Sequence, residues 1–222
     1  MQRAQWGEAV IPLQLRRQFP DVLWDGDPTR PKIALTFDDG PDPRDTPPLL
    51  DVLARHGVTA TFCYVGERVA ANPDLAKLAA AAGHQIGLHG ERHRAFVLER
   101  EPELRAQLDR TRDLLAQITQ GEARMFCTVR PPYGIFTPHL VRLLREWGYR
   151  MVVGSLVPMH WIQPAERTID QVFRYTEAGS LIVLHESLAG PPIAGLVDTI
   201  VAGLKTRGFE FMTIDEMRDA RA

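Results

Sequence analysis

The sequence has little of what marks several classes of protein. It contains only two cysteines, Cys63 and Cys127, in 222 residues. A chain of this length can bury a core without a disulfide framework, so we expect two buried, reduced thiols. The formal net charge is -2, and no block rich in Lys and Arg is present. This composition argues against nucleic acid as a partner.

Long hydrophobic runs are also missing. No stretch of about 18 apolar residues could span a membrane. The opening MQRAQWGEAV lacks the apolar core of a secretory signal, and we therefore expect a soluble chain. If an export signal was trimmed, the protein belongs to the cell envelope or is secreted; otherwise it is cytoplasmic. The sequence does not decide between these locations, and it does not give the oligomeric state.

What the sequence does contain is a regular alternation of short apolar runs with amphipathic ones. After an irregular N-terminal segment, residues 1–30, the apolar runs are short and often continuous. This pattern is typical of strands buried on both faces of a parallel sheet. Strands are predicted at residues 32–37, 59–65, 84–88, 125–129, 150–156, 180–184 and 209–214.

Helices are predicted between these strands from apolar spacings of three and four residues. The helical segments are residues 46–57, 72–83, 102–119, 137–147, 168–177 and 192–207. About seven strand–helix units with no linker predict one α/β domain over residues 31–222. The alternation alone is compatible with a (β/α) barrel and with an open sheet.

Polar residues follow four of the predicted strands directly. Asp38 and Asp39 follow the first strand, HGERH (residues 89–93) the third, RPPYG (residues 130–134) the fourth, and His185 ends the sixth. The carboxyl ends of parallel strands open on one face of the fold, where α/β proteins place their active sites. The sequence therefore predicts one polar cleft.

The residue types in this cleft indicate a metal site. His89 and His93 are four residues apart, so on a helical turn their imidazoles would share one face. Two imidazoles and one carboxylate form a ligand set that catalytic zinc uses, with a position left open for water. One carboxylate of the Asp38–Asp39 doublet could bind the metal while the other faces its water.

A metalloprotease helix of the H-E-x-x-H type is a poor alternative. In that motif the glutamate directly follows the first histidine. Here Glu91 lies two residues after His89, roughly 200° around a helix of 3.6 residues per turn. We expect Glu91 to point away from the metal, towards solvent.

The segments TFDDGP, HGERH, RPPYG and LIVLH, in this order, resemble the signature segments of the polysaccharide deacetylases, the NodB-like family-four carbohydrate esterases. The resemblance covers residues 31–214. It implies a distorted (β/α) barrel of about seven parallel strands in a single domain. It also implies one divalent metal ion, zinc with cobalt or nickel as alternatives, and hydrolysis of acetyl groups from an acetylated glycan such as chitin or peptidoglycan, including acetyl esters.

The resemblance implies roles for the polar residues. Asp39, His89 and His93 match the metal ligands of the family. Asp38 matches the catalytic base, and Arg130 matches the arginine that orients this base.

Five further positions carry roles by the same resemblance. The backbone N–H of Tyr133 matches a donor to the oxyanion, and His185 matches the general acid. Trp161 and Val183 match the walls of the acetyl pocket, where the family usually has Leu instead of Val183, and Pro131 is assigned to substrate binding.

Two departures from the family pattern leave other functions open. Gly90 stands where the family usually has Ser or Thr, and His160 stands where it commonly has the Asp that tunes the catalytic histidine. A neighbouring imidazole cannot raise the pKa of His185 as a carboxylate would. The alternatives are an amidohydrolase-like relative that acts on a small amide and a catalytically weakened, sugar-binding barrel.

Overall fold

A seven-stranded parallel sheet, curled into a half-barrel, forms the centre of the molecule. The computed structural model describes residues 9–187 and 192–219. The strands run β5-β4-β3-β2-β1-β6, and β7 also pairs with β1. The distorted barrel expected above is therefore confirmed. The strands are β1 Lys32–Asp38, β2 Thr61–Tyr64, β3 Gln85–Leu88, β4 Thr128–Val129, β5 Arg150–Met151, β6 Leu181–His185 and β7 Glu210–Met212.

The sheet is covered by helices, which include all six that the sequence predicts. In the described part of the chain these are α1 Leu13–Gln18, α2 Thr46–His56, α3 Gly66–Ala71, α4 Pro73–Ala81, α5 Glu101–Thr119, α6 Pro138–Glu146, α7 Ala165–Tyr175, α8 Ala194–Thr206 and α9 Ile214–Asp219. The three helices not predicted, α1, α3 and α9, have six residues each. So few residues cannot display a helical period clearly.

The predicted continuous apolar runs explain the buried strands. In β1, Ile33, Ala34, Leu35 and Phe37 are fully buried. Strands β4 and β5 are shorter than predicted, at two residues each. The chain after β5 continues as isolated bridges to neighbouring segments, among them Leu156 with Ile182.

The N-terminal segment lies against this irregular stretch between β5 and β6. The N–H of Ile11 donates to the carbonyl of Ser155 (2.9 Å), and the N–H of Leu23 donates to that of Met151 (3.0 Å). Trp24 is buried beside them. Residues 1–8 lie outside the described residues, and the division of the chain at residue 31 stays a prediction.

The two cysteines are both unpaired. Cys63 is buried in β2, and burial raises its pKa to about 12, so its thiol stays protonated. Cys127 is only half-buried, which corrects the expectation of two buried thiols, because it precedes the short β4 instead of lying inside a strand. Within the ranges the structure describes, no helix combines the length and apolar character needed to cross a bilayer.

Candidate active site

The carboxylate doublet lies at the carboxyl end of β1. Asp38 is the last residue of the strand, paired in register with His185 of β6. Asp39 follows with a φ of +74°, a left-handed conformation that is unusual for a residue with a side chain. This change of backbone direction sends the two adjacent carboxylates to different positions. Strain of this kind clusters at functional sites.

The histidine pair lies on an irregular loop after β3, not on a helical turn. The predicted helical geometry for residues 89–93 is thus wrong, and Gly90 at φ +83° turns the chain instead. A Cβ on Gly90 would lie 2.8 Å from the carbonyl oxygen of Arg92, so Ser or Thr does not fit this backbone. The imidazoles of His89 and His93 nevertheless converge, with ring centroids 5.1 Å apart.

Glu91, between the two histidines, points away from them. Its carboxylate accepts two hydrogen bonds from Arg110, at 2.9 and 2.7 Å. An ion pair therefore holds Glu91 at the surface, away from the histidines, as expected. The reason given for this expectation, the geometry of a helix, does not apply, because residues 89–93 form a loop.

Asp39, His89 and His93 together fit a divalent metal ion. Their ligand atoms all lie within 4.8 Å of one another. Asp39 Oδ1 lies 3.4 Å from His89 Nε2 and 3.2 Å from His93 Nε2. This oxygen is buried and finds no hydrogen-bond donor in the described chain, which is costly unless another partner is present.

Hydrogen bonds and charges orient these groups. His89 Nδ1 donates to the carbonyl oxygen of Arg130 (2.8 Å), since that oxygen can only accept, and this directs Nε2 towards Asp39. Burial alone would lower the pKa of His89, but Asp38 and Asp39 outweigh it and raise that pKa. Burial alone would raise the pKa of Asp39, but the two histidines outweigh it and hold that pKa below its usual range. The carboxylate is therefore ionised.

Asp38 is held by a buried arginine. Arg130 Nη1 donates to Asp38 Oδ1 (2.5 Å) and to Thr36 Oγ1 (2.9 Å). Asp38 and Arg130 are each only 2% exposed. Both contacts use the same guanidinium nitrogen, Nη1. Thr36, the second partner of Arg130, is a contact that sequence reasoning missed.

His185 is the last residue of β6 and the register partner of Asp38 on β1. His160 Nε2 accepts a hydrogen bond from the backbone N–H of His185 (3.0 Å), not from its ring. His185 Nδ1 is buried with no partner among the described residues. Burial lowers the pKa of His185 and lowers that of His160 to about 4. Both imidazoles are therefore mostly neutral at pH 7.

Two aromatic side chains flank the opening of the site. The Trp161 ring packs on His185 (centroids 4.7 Å apart), and the Tyr133 ring packs on His93 (4.5 Å). Tyr133 has a φ of +62°, the second left-handed non-glycine residue at this site. Pro131 is buried, and its carbonyl accepts the N–H of Gly134 at 3.0 Å.

Most residues predicted for the site share one cavity of about 460 Å³. Pro131 does not line this cavity. The predicted residues that do are Asp38, Asp39, His89, His93, Arg130, Tyr133, Trp161, Val183 and His185.

Glu186 is a buried acid that the sequence interpretation overlooked. It follows His185 directly, is fully buried, and accepts a short hydrogen bond from Thr46 Oγ1. Burial raises its pKa to about 8. Its carboxyl group leaves no room for a Cβ on Gly40, which follows the Asp38–Asp39 doublet. The signal available in the sequence was an acid beside a strand-end histidine.

The fold and site define a class: a (β/α) half-barrel with an Asp-His-His group that could hold a metal ion at the carboxyl ends of its strands. Residues 25–152 match the sequence model of the family described as polysaccharide deacetylase. The chain belongs to this family, the NodB-like family-four carbohydrate esterases, as the resemblance implied.

Individual relatives agree with this assignment. A peptidoglycan-N-acetylglucosamine deacetylase of Bacillus cereus is 36% identical over 190 residues, which cover 84% of this chain and 68% of the relative. PgdA of Listeria monocytogenes, also a peptidoglycan-N-acetylglucosamine deacetylase, is 34% identical over 85% of this chain, but only 39% of that protein is covered.

Solved structures show the same fold. The Bc1960 peptidoglycan N-acetylglucosamine deacetylase superposes with a TM-score of 0.85 at 30% identity, covering 93% of this chain and 96% of the other. PdaA of Bacillus subtilis, a family 4 carbohydrate esterase, gives 0.85 at 27% identity, with 95% and 91% covered.

Proposed function

We propose that this protein is a metal-dependent hydrolase that removes acetyl groups from N-acetylated sugars of a polysaccharide or oligosaccharide and releases acetate. The observation that carries the proposal is the buried, unpartnered Asp39 Oδ1 facing two imidazole nitrogens, with a second carboxylate, Asp38, beside it. The relatives named above act on peptidoglycan, and a chitooligosaccharide deacetylase of Bradyrhizobium is 30% identical over 93% of this chain. We therefore infer a glycan of this kind as substrate.

The metal would be held by Asp39, His89 and His93. Zinc is the ion we propose, with cobalt or nickel as alternatives, because this ligand set accepts several divalent ions. A family-four acetyl xylan esterase of Clostridium thermocellum has been solved with cobalt. When bound, such an ion polarises a carbonyl oxygen and lowers the pKa of water.

Asp38 is the proposed base. It has one oxygen held by Arg130 at 2.5 Å, which fixes the direction of the carboxylate while its second oxygen can take a proton from the attacking water. A positioned base contributes about 10²- to 10⁴-fold to a hydrolytic rate. The backbone N–H of Tyr133 is the proposed donor to the oxyanion, a role worth about 3 kcal/mol.

His185 is the proposed acid for the leaving amine. Hydrolysis adds the water oxygen to the acyl carbon, breaks the C–N bond and leaves a proton on the amine nitrogen. His160 offers His185 no carboxylate, and burial lowers the pKa of His185. The lowered pKa disfavours the protonated form of His185 at neutral pH, so we expect this step to slow turnover.

The test is acetate release from chitooligosaccharides and from peptidoglycan glycan strands. We expect release by the zinc-loaded protein, loss on chelation, and recovery when zinc is restored. Hydrolysis of a small formamide or cyclic amide without glycan turnover would favour the amidohydrolase alternative. Oligosaccharide binding with no acetate release under any metal would favour a sugar-binding barrel and contradict the proposal.

A further inference from the structure

The active-site cavity is much larger than an acetyl group requires. Its volume of about 460 Å³ lies within the range of about 300–1,000 Å³ that is typical of small-molecule sites. Besides the residues already assigned to the site, six apolar side chains line it, and we call these six the apolar wall. The apolar wall consists of Ile11, Leu15, Trp24, Phe136, Val153 and Val157.

This apolar wall is continuous with the reactive residues. Val183 and His185 both line the cavity. They are two residues apart on β6, so their side chains share one face, with Val183 about 7 Å further into the half-barrel. Trp24 and Val153 are buried, at 4% and 7% exposure, whereas Leu15 is 38% exposed at the opposite limit of the wall.

The wall is poorly suited to a sugar ring. Buried hydroxyl groups without hydrogen-bond partners cost about 1–3 kcal/mol each. Five of the six side chains in the apolar wall are hydrocarbon. The sixth, Trp24, already donates its indole N–H to the carbonyl of Phe19 at 3.0 Å. A hydrocarbon chain would meet no such cost.

We propose that the apolar wall binds the hydrocarbon chain of an N-acyl group, so that this site takes amides with longer acyl chains as well as acetamides. The inference rests on the proposed function, because the acyl carbonyl lies beside Asp39, His89 and His93 in the reacting complex. The chemistry is unchanged: the C–N bond breaks, and water supplies the oxygen of the released carboxylate. The N-terminal segment, through Ile11, Leu15 and Trp24, thereby sets the chain length accepted.

The first test measures binding of the product-like carboxylates acetate, butanoate and hexanoate to the zinc-loaded protein by calorimetry. Burial of a methylene is worth about 0.8 kcal/mol, so each added methylene should tighten binding about fourfold. Hexanoate, with four more methylenes, should then bind about 250-fold more tightly than acetate. Equal affinity for acetate and hexanoate would overturn the inference.

A matched pair of variants tests whether the hydrocarbon chain of the carboxylate binds at the apolar wall. Leu15 and Leu13 are both exposed leucines of α1, at 38% and 50%, but only Leu15 lines the cavity. Leu15→Glu should weaken hexanoate binding several-fold and change acetate binding much less. Leu13→Glu should change neither. If both variants weaken hexanoate binding equally, the wall is not the binding surface.

Hydrolysis separates this inference from the proposed function. N-hexanoyl- and N-acetyl-glucosamine oligomers should both be cleaved, and Leu15→Glu should lower the hexanoyl-to-acetyl ratio of kcat/KM. Cleavage of the acetyl substrate with no dependence of carboxylate affinity on chain length would reject the acyl-chain inference alone. Chain-length-dependent binding with no cleavage of either substrate would reject the proposed function and leave the apolar wall as a binding site.

Discussion

The polar side chains at the two ends of the parallel sheet differ in whether they have hydrogen-bond partners. At the amino end, Thr61 Oγ1 donates to Gln85 Oε1 (3.0 Å), and Gln85 Nε2 donates to Thr128 Oγ1 (3.2 Å). The first residues of α9 complete this network: the N–H of Ile214 donates to Thr61 Oγ1 (3.0 Å) and that of Asp215 to Gln85 Oε1 (3.0 Å). Each side chain here has a partner.

The carboxyl end leaves many buried polar atoms without a partner. Within residues 9–187 and 192–219, every buried side-chain atom that lacks a hydrogen bond lies at this end of the sheet. These atoms belong to Asp39, Asp45, Tyr64, Arg130, His185, Glu186 and Ser187.

This difference indicates that polar residues at the amino end serve stability and those at the carboxyl end serve function. Buried polar groups are normally satisfied, and exceptions call for a ligand, an ion or a catalytic role. The amino end of a (β/α) fold serves stability, while the carboxyl end holds the reactive groups. We therefore expect changes at the carboxyl end to act first on metal content and rate, and changes at the amino end to act on unfolding alone.

The largest expected effect follows removal of a proposed metal ligand. His89→Ala should lose both bound metal and acetate release, because the remaining Asp39 and His93 offer only two ligands. Elemental analysis of the purified variant, together with an acetate assay, checks this. His139→Ala is the control, since His139 is an exposed histidine paired with Glu101 and should keep both. A variant at His89 that retains stoichiometric metal would refute the ligand assignment.

Asp38→Asn should separate metal binding from the chemical step. Asparagine cannot take the proton, so we expect kcat to fall about 10²- to 10⁴-fold while metal content stays near that of the wild type. Asp198→Asn, at an exposed carboxylate beside Arg55, serves as the matched control. Retention of most of the rate by Asp38→Asn would exclude Asp38 as the base.

The polar residues of the carboxyl end could be predicted from the sequence because they directly follow the predicted strands. Apolar runs located β1, β3 and β6, so the polar residues at their ends, such as Asp38 and His185, could be placed on one face from the pattern alone. The detailed geometry could not be read, since the His89–His93 spacing fits a helical turn and a bent loop equally well. Only the backbone at Gly90 distinguishes the two.

Other features depend on distant packing that no local pattern encodes. The short helices α3 and α9 form because they lie on the barrel, not because six residues favour a helix. The same applies to the N-terminal segment, whose Ile11 lines the cavity and donates its N–H to the carbonyl of Ser155, a residue far away along the chain. Contacts between such distant positions could not be predicted from the sequence.

The buried acid Glu186 should make stability fall as pH rises. Its pKa is about 8 in the folded protein, against an ordinary value of 4.5. Between these values the folded state holds a proton that the unfolded state has lost, so the free energy of unfolding decreases with pH. Glu186→Gln should flatten this slope, as measured by denaturant unfolding of the metal-free protein between pH 5 and pH 8. An unchanged slope in the variant would contradict the assignment.

His84, at the amino end, should act in the opposite direction. Burial lowers its pKa to about 4, from an ordinary value of 6.5. Between these values the unfolded state binds the extra proton, so stability falls as pH decreases through this window, by at most about 1.4 kcal/mol per pH unit. His84→Asn can still accept the hydrogen bond from the Ala60 N–H but cannot titrate. We expect it to reduce the acid-side slope, to which His160 also contributes, without changing kcat.

The smallest expected effect follows a change in the hydrogen-bond network at the amino end of the sheet. Thr61→Val keeps the shape of a fully buried side chain but leaves the N–H of Ile214 without its acceptor, which should cost about 1–3 kcal/mol of unfolding free energy. Thr199→Val makes the same chemical change at an exposed helical position and should cost much less. Neither variant should alter metal content or kcat, because neither residue reaches the carboxyl end. A fall in kcat for Thr61→Val, with stability unchanged, would show that the two ends of the sheet do not divide stability and function in this way.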